Sequence, residues 1–99
     1  MVYKITFKKR FRSRLEQVLV YLEGEFGLLV SQKFVQQIER KFRTLEKQPF
    51  IGRRSPTFHN IRSISASRQN RIYYRIEGNK IVVLNMYDTR INPNRNKFE

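Results

Sequence analysis

No cysteine occurs among the 99 residues, which excludes disulfides and thiolate zinc sites. Tryptophan is missing too. Three prolines and four glycines are too few for a low-complexity or collagen-like chain. Acidic side chains are scarce, with eight Asp and Glu against twenty-one Lys and Arg, a formal net charge of +13. Apolar runs fall far short of the ~20 residues of a membrane-spanning helix, and Lys8, Lys9 and Arg10 interrupt any leader-like start. The expected address is therefore the cytoplasm, with no membrane partner. With one histidine, His59, the chain holds no catalytic triad, no metal-ligand cluster and no phosphate-binding glycine loop, so neither metal nor cofactor is expected.

What remains is aromatic and cationic. Eight Phe and five Tyr are more than a disordered chain carries, and the length fits a single domain over residues 1–99. A charge of +13 works against a compact state by self-repulsion, so its presence points to an anionic partner: nucleic acid, an anionic membrane or an acidic protein. Thirteen of the cations are arginines, whose planar fork suits phosphate and carboxylate.

Tyr3, Ile5 and Phe7 alternate with Lys4 and Thr6, the pattern of a short half-buried strand. Phe11, Leu15, Val18, Leu19, Leu22 and Phe26 then recur every three or four residues, predicting an amphipathic helix that Gly24 and Gly27 end. Phe34, Val35, Ile38, Phe42 and Leu45 predict a second helix with Ser31 as N-cap, stopped before Pro49. A short glycine turn between them implies an antiparallel hairpin. Strands follow at 61–66, 71–76 and 81–87, the last two joined by Gly78-Asn79. The last is apolar on both faces, as a central strand would be. Residues 91–99 read as a polar tail. The expected fold is α+β: an antiparallel sheet packed on an N-terminal helical hairpin, order β-α-α-β-β-β, with the sheet's other face open.

If Ile72, Tyr74 and Ile76 face the helices, then Arg71, Tyr73 and Arg75 share the open face. Guanidinium on phosphate and ring on base is how such a row holds nucleotides, and Arg62 and Arg68 are candidates to extend it. The alternative is a solvated face of an amphipathic sheet. Tyr87-Asp88-Thr89-Arg90 joins a phenol, a carboxylate and a guanidinium where a strand ends. Cleaving RNA through its 2′-hydroxyl needs a base and a cation; Arg90 fits the cation, and Tyr87 or Asp88 the base only with a shifted pKa. The plainer account is an Asp88–Arg90 ion pair that ends the strand. Lys8, Lys9, Arg10, Arg12 and Arg14 crowd the start of the first helix, the wrong end for its dipole, which implies an anion there.

The chain resembles the RelE/ParE family of toxins. The resemblance rests on the opening strand, the hairpin, Pro49-Phe50-Ile51-Gly52-Arg53, Ile61-Arg62, Arg71-Ile72-Tyr73-Tyr74-Arg75-Ile76, Ile81 to Asn85 and Asp88-Thr89-Arg90-Ile91-Asn92-Pro93. It implies the toxin half of a type II toxin–antitoxin module, held inactive by a cognate antitoxin that wraps around it. One branch cuts mRNA on the ribosome and the other inhibits DNA gyrase. For RNA cutting the resemblance points to Arg62, Arg90 and Tyr87 as catalytic residues. No Tyr or His follows Arg90, however; the tail offers Asn92, Asn94, Asn96 and Phe98. The long hairpin, the Pro49–Gly52 link and Ile72-Tyr73-Tyr74 resemble the ParE branch, so gyrase inhibition is the expectation. An mRNA endonuclease or a non-toxic RNA-binding module are the alternatives. Arg68, Arg71, Tyr73 and Arg75 are the candidate residues for target binding.

Overall fold

The computed structural model describes residues 2–90 and 95–99. Strand β1 (Lys4–Phe7) leads into helix α1 (Lys9–Phe26) and helix α2 (Leu28–Lys47). A single 3-10 turn (Pro49–Ile51) connects to β2 (Arg53–Arg54), followed by β3 (Ile61–Ser65), β4 (Asn70–Glu77) and β5 (Lys80–Asp88). The strands form one sheet in the order β1-β5-β4-β3-β2. This is the expected α+β arrangement, with the hairpin packed on one sheet face. The sheet is antiparallel except at one edge, where β1 runs parallel to β5 in the register Ile5–Ile81. α1 and α2, lying between these two strands in sequence, supply the long crossover that parallel pairing requires.

Two predicted boundaries move. Gly24 stays inside α1, and Gly27 alone makes the turn, at a φ of 95° that side-chain-bearing residues rarely adopt. Ser31 is not the N-cap of α2; Gly27 holds that position, and Ser31 is buried one turn into the helix. The hairpin at Gly78-Asn79 forms as expected, with Ile76 opposite Ile81.

The main core lies between the hairpin and the sheet. Phe11 of α1 and Phe34, Ile38, Phe42 and Leu45 of α2 meet Ile72, Tyr74, Ile81, Val83 and Met86 of the sheet. At one end Phe7, Phe11 and Phe42 form an aromatic triangle with centroids 5.3 to 5.9 Å apart. Edge-to-face contacts of this kind add stability beyond the buried area. Leu45 is fully buried, so shortening it to alanine removes about 2–5 kcal/mol.

The sheet's other face is not open at its centre. The segment read as a polar tail is described from Arg95 onward, and there it folds back: Phe98 is 4% exposed and stacks on Tyr73 with centroids 4.9 Å apart. Ile61, Tyr73 and Phe98 form a second small core with Leu84 and Tyr87 around it. Asn96 donates from Nδ2 to the Tyr73 hydroxyl at 3.0 Å, and its Oδ1 accepts from the Phe98 N–H. The apolar residue of an otherwise polar segment thus covers an apolar ring that would face water. The expectations placed on Ile91, Asn92, Pro93 and Asn94 lie outside the described residues.

Candidate functional site

Strand alternation places Arg71, Tyr73 and Arg75 on the face away from the helices, as expected, while Ile72 and Tyr74 enter the main core. Their surroundings differ from the open row anticipated. Tyr73 is 1% exposed, beneath Phe98, so no base can stack on it in this arrangement. Its hydroxyl donates to the Glu99 carboxylate, which also takes a 2.6 Å contact from Arg53. Burial, then the bond to Glu99, pushes the Tyr73 phenol up to about 12. Arg71 is half-buried and donates from Nε to Ser63 Oγ at 3.1 Å and from its terminal nitrogen to the Ser63 carbonyl at 3.3 Å.

Arg53, Arg71, Tyr73, Asp88, Asn96 and Glu99 line a cleft of about 330 Å³ on this face. One cation, Arg53, and a phenol, Tyr73, meet on a carboxylate the chain itself supplies, with Arg71 beside them in the same cleft. Arg53 and Glu99 were not among the residues expected here. Gly52-Arg53-Arg54 carries no spacing that separates a site arginine from a loop arginine, and the position of a C-terminal carboxylate depends on how the chain folds back.

Arg62 does not extend the row. It pairs with Tyr74 across β3 and β4, on the helix side, and donates to the Phe50 and Gly52 carbonyls at 3.1 and 2.9 Å. Its guanidinium also lies 5.3 Å from the Phe50 ring. Arg62 therefore fastens the 3-10 turn to the sheet. Arg68 is exposed in the β3–β4 turn and lines a second hollow, of about 900 Å³, between α2 and the β3 edge, which it shares with Arg53 and Arg71. Arg75 pairs with Glu77.

At the end of β5 the plainer account holds for one pair. Arg90 grips Asp88 as a fork, Nε to Oδ1 at 3.0 Å and the terminal nitrogen to Oδ2 at 2.6 Å. The guanidinium's hydrogen bonds hold the Asp88 carboxyl below its ordinary value, which makes it a weaker base. Tyr87 packs edge-on to Tyr73 and Phe98, with Arg14 over its ring at 5.9 Å. Of the three residues considered for RNA cutting, Arg62 lies on the helix side and Tyr87 on the tail side, so the sheet separates them. His59 is exposed in the loop before β3. Among the described residues no three His, Asp or Glu side chains are placed to share a metal ion, and no helix is long and apolar enough to cross a membrane.

Comparison with known proteins places the chain. A family model for the ParE toxin of the type II toxin–antitoxin system parDE matches residues 5–93. No curated protein sequence matches. Among solved structures, the chromosomal ParDE system of P. aeruginosa contains a chain of 18% identity and TM-score 0.74, covering 88% of this chain and 96% of that one. The RelBE2 toxin–antitoxin complex of Mycobacterium tuberculosis gives 18% identity and TM-score 0.64, over 89% and 99% of the two chains. A mutant of E. coli toxin RelE in the free state gives 16% identity and TM-score 0.63, over 98% and 94%. At these identities the structures establish a shared fold.

Proposed function

Because the chain belongs to the ParE toxin family of type II toxin–antitoxin systems, we propose that it arrests growth by binding DNA gyrase rather than by cutting RNA, and that a cognate antitoxin neutralises it. The observation that carries this reading is the dispersal of the RNA-cutting candidates. Arg62 holds backbone carbonyls on the helix side, Arg90 is forked to Asp88, and Tyr87 lies in the aromatic cluster of the tail side. A general base must come within hydrogen-bond reach of the proton it removes, and these groups are bound elsewhere. The test is purified protein with gyrase and relaxed plasmid. Inhibited supercoiling or trapped cleaved DNA at micromolar protein is the expected result; unaffected gyrase overturns the reading.

One observation favours a second reading, a ribosome-dependent mRNA endonuclease. The cleft of Arg53, Arg71 and Tyr73 already holds a carboxylate, and a phosphodiester would meet the same cations. Under that reading Arg71→Ala abolishes transcript cleavage during growth arrest; intact transcripts in wild-type-arrested cells reject it.

The antitoxin has two fitting surfaces. β3 is paired by β2 only at Ser63 and Arg62, leaving the edge at Ile64 to Ala66 for an added strand beside α2. The α1–α2 groove, lined by Phe11, Leu15, Val35, Ile38 and Phe42, is almost wholly apolar and suits an amphipathic helix. The basic excess complements an acidic antitoxin at either place.

A further inference from the structure

On the tail side of the sheet, away from the cleft of Arg53 and Arg71, lies a hollow of about 540 Å³ where β5, the tail and the start of α1 meet. Every charged side chain lining it is a cation: Lys8, Lys9, Arg10, Arg75 and Lys97. Of these, Arg75 is paired with Glu77. The first turn of α1 contains no acidic residue, and its N-cap, Lys8, makes no side-chain capping bond. Cations therefore sit at the positive end of a helix dipole, an arrangement that is unfavourable until an anion joins it.

A second observation points the same way. The pairing of β4 with β5 passes from Tyr73–Asn85 to Tyr74–Val83, so Leu84 is the extra residue of a β-bulge. The bulge turns the polar side chain of Asn85 into the floor of the hollow. Asn85 is only 8% exposed, and its Oδ1 accepts from the Met86 N–H at 2.8 Å. Its Nδ2 has no acceptor among the described residues. A nearly buried amide donor thus faces a hollow ringed by positive charge. At the rim Phe58 is 40% exposed, held edge-on against Phe98. A partly exposed aromatic ring thus stands beside the cations.

We propose that this hollow binds the phosphate of a single-stranded nucleic acid, with the α1 first turn, Lys9, Arg10 and Asn85 Nδ2 on the phosphate oxygens and a base against Phe58. Carboxylates would meet the cations equally well, but the exposed ring beside them favours a nucleotide. In a duplex the base is held in its stack, so an unpaired strand fits better. The site does not depend on how the toxin acts on its target, because oligonucleotide binding and gyrase inhibition are read separately.

The test uses the whole chain and a fluorescein-labelled ten-uridine RNA, followed by anisotropy across a salt series. Two triple variants are compared: Lys9→Ala/Arg10→Ala/Lys97→Ala at the hollow, and Lys33→Ala/Arg40→Ala/Lys41→Ala on α2. Both remove the same charge. The hollow variant is expected to lose about tenfold in affinity at 0.1 M salt, with its log–log salt slope shallower by about 0.7, the share of the one phosphate the hollow holds. The α2 variant should change little. Phe58→Ala should weaken RNA binding in the otherwise intact protein without altering that slope. Equal losses in the two triple variants would mean diffuse attraction to a basic surface and overturn the proposal. So would displacement of the RNA by an oligoglutamate of matched charge at the same concentration as by unlabelled RNA.

Discussion

The Tyr74 hydroxyl donates to the Pro49 carbonyl at 2.7 Å and accepts from the Gly52 N–H at 3.1 Å, all within the core. A side-chain carbon on Gly52 would stand 2.3 Å from that hydroxyl, so the stretch Pro49 to Gly52 and the tyrosine are one device, closing α2 onto the sheet. Tyr74→Phe is expected to cost about 1–3 kcal/mol, since a buried donor and acceptor lose their partner. Gly52→Ala should cost at least as much through the clash, and urea unfolding measures both. The neighbouring Tyr73 answers to pH instead. An unfolded tyrosine titrates near ~10, whereas Tyr73 is pushed up to about 12 by burial and its bond to Glu99. Below the lower value its contribution is fully present; between the two the unfolded chain releases the proton first, so stability falls as pH rises. Wild-type stability should decline steeply across that window, by up to roughly 3 kcal/mol at about 1.4 per unit, and Tyr73→Phe should make the decline shallower. The Tyr74 phenol is raised as well, by burial first, so some decline persists. An identical pH slope in Tyr73→Phe would mean that the Tyr73 phenol is not buried beneath the tail in solution.

At the level of elements, the two glycines near the hairpin turn make opposite demands. Gly24 is helical with open space where a side chain would go, so Gly24→Ala should stabilise by about 0.5–1 kcal/mol. Gly27 has φ 95° and ψ 167°, a region essentially closed to other residues, so Gly27→Ala should destabilise by about 1–3 kcal/mol. Thermal unfolding of the pair distinguishes them; a shared sign would mean that the turn is made elsewhere. The same two residues show what was legible. Periodicity located both helices and the Phe34 to Leu45 stripe, because a core-facing helix repeats its chemistry every turn. Composition alone made Gly24 a breaker and Ser31 a cap, since helix ends are set by single backbone angles that leave no periodic trace. β4 and β5 were readable from alternation and Gly78-Asn79, but the parallel edge at β1 was not, because it depends on the chain's return from a distant crossover. At the candidate cleft, Arg71 and Tyr73 were read on the correct face. Phe98 above them was hidden by polar neighbours, and with it the covering of that face and the role of Glu99.

Taken as a whole, the molecule carries its charge unevenly. All twenty-one Lys and Arg lie outside residues 15–32, the distal part of the hairpin, where Glu16, Glu23 and Glu25 are the only charged side chains. That tip exposes Val20, Tyr21, Phe26, Leu28 and Leu29, while the rest of the surface is crowded with cations. Only three ion pairs occur among the described residues, Arg53–Glu99, Arg75–Glu77 and Arg90–Asp88, and each keeps at least one partner substantially exposed. Pairs of this kind add little, so repulsion among the remaining cations outweighs them. Raising salt from 0.1 to 1 M shortens the screening length from about 10 to about 3 Å. The urea midpoint should therefore rise with sodium chloride while the slope of the transition stays constant. High salt also favours contact between exposed apolar tips, which would raise the midpoint by association. That contribution is separable, because association makes the midpoint depend on protein concentration and relief of intramolecular repulsion does not. A midpoint that falls with salt would mean that attraction within the fold, rather than self-repulsion, governs the folded chain, and the case for an anionic partner drawn from its charge would lose its physical basis.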